Sequence, residues 1–353
     1  MKIQAFEKLR IFSCILVILV HVSAQIVSSA GVYESAFSFG YFCNVLAFSG
    51  VTLFVMISGA LTLRDGRNVT VKDTVFKRFL RFFMLYMLWK GIYIVFDLIC
   101  TGEVLNTPDL KETLRLSAIK WIGGNAYYHL WYLPMIAFLS LLVPLIYQGV
   151  REKAVCRLFI IPFIILCLLV PTAFYFEFPF KYLIMDFLKQ CRSEYFPGYL
   201  GYFILGHYLY KWRDDFDNKK KIMIYISGLA GLIFAVIFGI IKSRSANTAF
   251  EGYTTPMCFT NLLTSSALFI LLINGKSSDN KENNNDKNPV NILSGLTLGI
   301  YLVHPMIIEL LKAAGFFTIN DYIYLMVPVS VIIVFAVSSL IAFILSKIPI
   351  RIS

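Results

Sequence analysis

The sequence predicts an all-α fold, a polytopic membrane helix bundle of about ten transmembrane helices with both termini cytoplasmic. Three observations predict it. Hydrophobic residues make up 58% of the 353 residues and charged residues only 15%, with a mean hydropathy of +0.72, a balance that no soluble domain of this size sustains. The apolar residues gather into runs of about 17 to 25, the length that crosses the hydrocarbon core. The basic residues sit in several short loops between those runs, so the net charge of +11 reads as membrane topology and excludes nucleic acid as a partner.

The first run, 9–28, lacks a small-residue cleavage site and is followed by further spans, so it is an uncleaved helix and not a signal peptide. The second, 40–63, ends at Arg64, and the third, 79–99, opens with Lys77-Arg78-Phe79-Leu80-Arg81. The fourth, 129–148, begins at His129-Leu-Trp131-Tyr132-Leu-Pro134, an aromatic start suited to a membrane interface. The fifth is 157–175. The sixth, 196–211, is short and rich in glycine, which suits a tilted, broken or sheltered segment. The remaining four are 221–241, 257–274, 292–312 and 323–346. With the N-terminus in the cytoplasm, 22 of the 32 basic residues fall on that side, which orients a multi-pass protein of the plasma (inner) membrane with both ends inside. The polar run 276–288 reads as a flexible cytoplasmic linker, because it holds nothing to build a core from. The stretch from Asp97 to Tyr128 is expected to lie against the membrane surface and cap an outward-facing site. The whole chain, 1–353, is expected to form a single transmembrane domain. Seven cysteines show neither a CxxC pair nor zinc spacing, so no metal is expected, while Cys100 and Cys191 both fall on outer loops where they can pair.

The chemistry concentrates on a few residues. His21, amid Val, Leu and Ile at bilayer depth, is costly to keep and therefore a functional-site candidate. Eleven residues bring it back to within ~20° of Arg10, with ~16 Å between them along the axis. Taken singly, Arg10 reads as an anchor at the inner surface and His21 as an interhelical hydrogen bonder. Their shared face favours a joint role, in which a neutral imidazole takes a proton from a hydroxyl. Arg78 and Arg81, spaced i, i+3, are either topology anchors or, with Arg10, a phosphate-binding mouth. His304, in Gly299-Ile-Tyr301-Leu-Val-His304-Pro305, lies about as deep as His21, which suggests a shared cavity; the alternative is that it bonds the carbonyl that Pro305 frees. Tyr301, Glu309, His129 and Trp131 are further candidates for a substrate cavity, although Glu309 also suits a solvated helix end. Lys90 and Asp97, seven residues apart, read as a pair that fixes their helix, and His207 as an ordinary interfacial residue. No GxSxG, P-loop or HExxH motif is present.

Six short motifs in order carry a resemblance: Arg10-x10-His21, Leu53-Phe-Val-Met-Ile-Ser-Gly59, Lys77-Arg78-x-x-Arg81, His129-Leu-Trp131-Tyr-Leu-Pro134, Tyr202-Phe-Ile-Leu-Gly206 and Tyr301-Leu-Val-His304-Pro305. Together with ten spans they resemble the acyltransferase 3 family of integral membrane acyltransferases, nearest to its stand-alone surface-polysaccharide O-acetyltransferases, over almost the whole chain. The resemblance implies transfer of an acyl group, usually acetyl, from cytosolic acetyl-CoA (acyl-CoA) as donor substrate, with no bound cofactor. The acceptor it implies is a hydroxyl on a glycan or lipid-linked sugar. It makes His21 the catalytic residue and associates Arg10, Arg78 and Arg81 with acyl-CoA. Membrane lipids and polysaccharide-synthesis proteins are the expected partners. Some similar proteins are assigned to moving amino acids or glycans, so a transporter built on the same fold is the competing reading.

Overall fold

A computed structural model describes residues 4–101, 110–123, 127–190, 198–274, 288–317 and 322–347. Among them there is helix and no strand, and each of the ten expected spans is occupied by helix. The main helices in chain order are α1 (Gln4–Ser29), α2 (Ser35–Ala47), α3 (Ser49–Thr62), α4 (Val71–Cys100), α5 (Leu110–Gly123), α6 (Tyr132–Ile146), α7 (Lys153–Ala173), α8 (Lys181–Gln190), α9 (Gly198–Lys211), α10 (Asn218–Ala246), α11 (Phe259–Asn274), α12 (Pro289–Ala313) and α13 (Ile323–Lys347), with α5 and α8 lying outside the expected spans. Seven runs are long and apolar enough to cross a membrane, with α2 and α3 counting as one. The helices in the other three expected spans, α6, α9 and α11, have 15, 14 and 16 residues, short of the ~20 that a perpendicular crossing needs. The shortness read in the sixth span is therefore shared by the fourth and eighth.

The chain divides into two compact units, Met1–Gly66 with Gly149–Lys347, and Arg67–Gln148. In the first, half or more of α1, α2–α3 and α12 is enclosed by other helices, while α10 and α13 expose most of their surface. An apolar outer face on a long helix is what lipid contact requires, and the enclosed helices are where polar groups are affordable. The motifs around Gly59 and Gly206 explain each other here. A Cβ on Gly59 would stand 1.7 Å from the carbonyl oxygen of Phe203, and one on Gly206 would stand 2.1 Å from that of Met56, so α3 and α9 touch backbone to backbone only because both lack side chains. α2 and α3 are interrupted only at Phe48, next to which the Ser49 hydroxyl donates back to the Leu46 carbonyl at 2.6 Å, a contact that competes with the helix ladder. The polar run expected as a linker ends in structure: Asn288 caps α12 by accepting from the Val290 N–H at 3.0 Å, with Pro289 at the first helical position. Residues 276–287 of that run lie outside the described residues.

In the second unit, α4 passes after its first turn into a π-helical segment, Thr74–Phe79, that holds Lys77 and Arg78. Its wider turn alters the phase between Arg78 and Arg81, so α-helical spacing does not fix their common face. Arg78 is half-buried and Arg81 exposed. Lys90 is buried, its ammonium 5.8 Å from the centre of the Tyr86 ring. The stretch from Asp97 to Tyr128, expected against the membrane surface as a cap, makes contact with α4 through α5. The Trp121 indole donates to the Met87 carbonyl at 2.8 Å, and Gly91 faces the same ring, so the end of α5 returns alongside the middle of α4. A local apolar run cannot signal this, because it looks the same whether it covers a surface or another helix. Cys100 is exposed, and its suggested partner Cys191 lies outside the described residues.

Candidate functional site

The site grows from α1 and α12, which run parallel. Glu7 meets Ser294, the Cys14 thiol lies 3.9 Å from the Thr297 carbonyl, and the rings of His21 and His304 stand 5.3 Å apart between centroids, 32° from coplanar. Contacts that advance together along both helices require the same direction for each. His21 is half-buried and His304 fully buried. The equal depth read from the sequence thus corresponds to neighbouring imidazoles.

The reading in which His304 bonds the carbonyl that Pro305 frees matches its position. Pro305 has no N–H to give to the carbonyl four residues back, that of Tyr301, and His304 Nδ1 lies 2.7 Å from this oxygen. Since a carbonyl only accepts, Nδ1 carries the proton, and Nε2 of the neutral ring holds the lone pair. The proline therefore selects the tautomer of the histidine beside it. Tyr301 is buried with its ring 6.0 Å from that of His304. Glu309, five residues further along a continuous helix, points about 140° away from His304 and is half-buried; it does not join the histidine pair.

The turn that carries His21 is clamped from α2. The Asn44 amide donates to the Val20 carbonyl at 2.9 Å and to the Ser23 hydroxyl at 3.0 Å, and that hydroxyl donates to the Leu19 carbonyl at 2.7 Å. A buried amide placed this way fixes the axial position of the helix next to His21. At the other end of the same face, α1 is unbroken from Arg10 to His21, which keeps their helical separation at ~16 Å. The Arg10 side chain is 34% exposed and its Nη1 lies 3.4 Å from Glu7 Oε2. Glu7 and Asn44 were not singled out by the sequence reading. The signal for Glu7 was its spacing: a carboxylate three residues before an arginine, at the edge of an apolar helix.

The remaining candidates lie in the second unit. His129 is buried among aromatic rings, 4.9 Å from Tyr93, 5.9 Å from Tyr127 and 5.8 Å from Tyr128, with Tyr93 and Tyr127 stacked at 4.4 Å. Trp131, two residues on, is 39% exposed and opens α6. Two positions apart, one side chain is enclosed and the other exposed. His207, in the first unit, is buried with Nε2 3.2 Å from the Val150 carbonyl. Among the described residues no group of three or more His, Cys, Asp or Glu could hold a metal ion.

A parallel pair of helices presenting a guanidinium at one end and two imidazoles within defines an integral membrane protein with a polar site inside its bundle. The chain belongs to the acyltransferase domain family (Acyl_transf_3), which it matches over residues 3–347. It is also similar to two proteins of Staphylococcus epidermidis, one from strain RP62A, each described as a probable poly-beta-1,6-N-acetyl-D-glucosamine export protein. Each is 22% identical over 336 residues, covering 92% of this chain and 87% of the relative. No solved structure matches the chain.

Proposed function

We propose that the chain is a membrane O-acyltransferase that moves an acyl group, expected to be acetyl, from cytosolic acyl-CoA to a hydroxyl of a surface polysaccharide or lipid-linked sugar, with His21 as general base. The observation that carries this reading is the imidazole pair, 5.3 Å between ring centroids, on a helix that bears Arg10 three turns earlier. Membership of an acyltransferase family supports it. In the proposed reaction His21 removes the proton of the acceptor hydroxyl, whose oxygen attacks the thioester carbonyl. The carbon–sulfur bond then breaks, and the departing CoA sulfur takes the proton from His21. His304, with its proton committed to Tyr301, keeps the neighbouring ring in a defined electrostatic setting. Arg10 would bind donor phosphate, and its ~16 Å from His21 is on the order of the length of a pantetheine arm. Arg78 and Arg81 are proposed as acyl-CoA ligands on the family resemblance alone.

A second reading, export of a glycan, is favoured by the printed description of the two staphylococcal relatives. One experiment separates the two. Membrane vesicles holding the protein are given acetyl-CoA and a glycan acceptor, and CoA release is followed beside movement of labelled glycan. The enzyme releases CoA only when acceptor is present, and His21→Ala lowers that rate by ~10²-fold or more, the usual reach of general-base catalysis, at normal protein levels. Retained activity would remove His21 from the mechanism. Glycan movement that needs no acyl-CoA would favour the exporter.

A further inference from the structure

Glu7 is a carboxylate where a membrane helix rarely keeps one. It is 7% exposed, in the first turns of α1 on the side that faces α12, and the preceding residue, Phe6, is packed edge-on against Tyr210 with 4.9 Å between centroids. A buried carboxylate is costly without partners, and Glu7 takes one from each helix. Its Oε2 accepts a hydrogen bond from the hydroxyl of Ser294 on α12. Arg10 Nη1 approaches from one turn further along α1, 3.4 Å from Oε2 and 3.5 Å from Oε1. These separations are long for a charge-assisted hydrogen bond, and a guanidinium carries five N–H donors. Arg10 is therefore aimed by Glu7 but not used up by it, and its partly exposed side chain keeps donors for an arriving anion.

We propose that Glu7 is a positioning residue for the acyl donor: anchored by Ser294, it holds the Arg10 guanidinium in the orientation that receives a CoA phosphate. This rests on reading Arg10 as a donor ligand. The carboxylate also subtracts from the positive potential of the site, so two effects oppose each other. Orientation prevails because a long, half-exposed arginine loses considerable rotamer freedom on binding unless something has already fixed it. A carboxylate that served only to join α1 to α12 would instead affect stability, with no preference for donor affinity.

The test is a double-mutant cycle on the purified full chain, reading acetyl-CoA KM, kcat and the affinity for CoA itself. Glu7→Gln keeps the shape and an oxygen for Ser294 but removes the charge. It should raise the acetyl-CoA KM on the order of tenfold, about the net worth of one orienting hydrogen bond, and lower kcat at saturating donor by less. Glu7→Asp, which restores the charge on a shorter stem, should recover part of that affinity. In an Arg10→Gln background the Glu7→Gln change should alter KM by less than about twofold, since the group it positions is gone. An unchanged or lower KM in the single variant, or an equal rise in both backgrounds, would overturn the proposal while leaving Arg10 in place. A wild-type protein that binds no CoA would instead overturn the reading of Arg10 on which it rests.

Discussion

Substituting Gly59 with alanine puts the packing of α3 on α9 to a direct test. The added Cβ would fall 1.7 Å from the Phe203 carbonyl oxygen and 2.5 Å from its carbon, where ordinary contact begins near ~3.5 Å. Both obstacles are backbone, so no rotamer change relieves the clash, and the helices must part by roughly 1.8 Å at this point. A radial gap of even ~1 Å forfeits up to about half of the dispersion well for each lining contact. Overpacking of this kind costs ~1–3 kcal/mol, and an obstacle of rigid backbone puts Gly59→Ala at the top of that range. Gly206→Ala meets Met56 in the same way, with 2.1 Å to the oxygen and 2.4 Å to the Cα, and should cost a similar amount. The double variant should cost less than the two singles together, because helices already parted for one methyl accept the second. Gly295→Ala is the control. No atom lies within 4 Å of its Cβ position in α12, so replacing a helical glycine there should stabilise by ~0.5–1 kcal/mol. Equilibrium unfolding in detergent micelles reads all four proteins. Gly59→Ala unfolding at the wild-type midpoint, or strict additivity of the pair, would refute the close backbone contact.

Arg10→Ala should raise the acyl-CoA requirement by ~10-fold or more, as expected for losing a phosphate-binding guanidinium, with the smaller effect on kcat; donor saturation curves check it, and an unchanged KM would separate Arg10 from the donor. Asn44→Ala should cost ~1–2 kcal/mol, since a buried amide loses both the Val20 carbonyl and the Ser23 hydroxyl. Unfolding midpoints measure that loss. Because the same amide fixes the turn that bears His21, acyl transfer should fall further than the folded fraction does, and parallel decline of the two would reduce Asn44 to a packing role.

Hydropathy alone determined the helical class and where the apolar helices fall, seven runs of them among the described residues long enough to cross a membrane, because lipid demands length and apolarity of a crossing. It also brought His21 and His304 to one depth, since each is counted from the start of its own helix. Depth is a property of one helix at a time, whereas contact depends on two. Ser294 reaches Glu7 across 287 positions of sequence, and no periodicity in α1 says which hydroxyl will meet that carboxylate. The same limit hid the Asn44 clamp and the return of α5 along α4. The π-helical turn under Arg78 stayed hidden for a different reason, since an i, i+3 spacing fixes a shared face only where the helix keeps its α phase. What tertiary structure decided was how far neighbouring helices approach and rotate: glycines let α3 and α9 meet at their backbones, and a proline freed the carbonyl that sets the tautomer of His304.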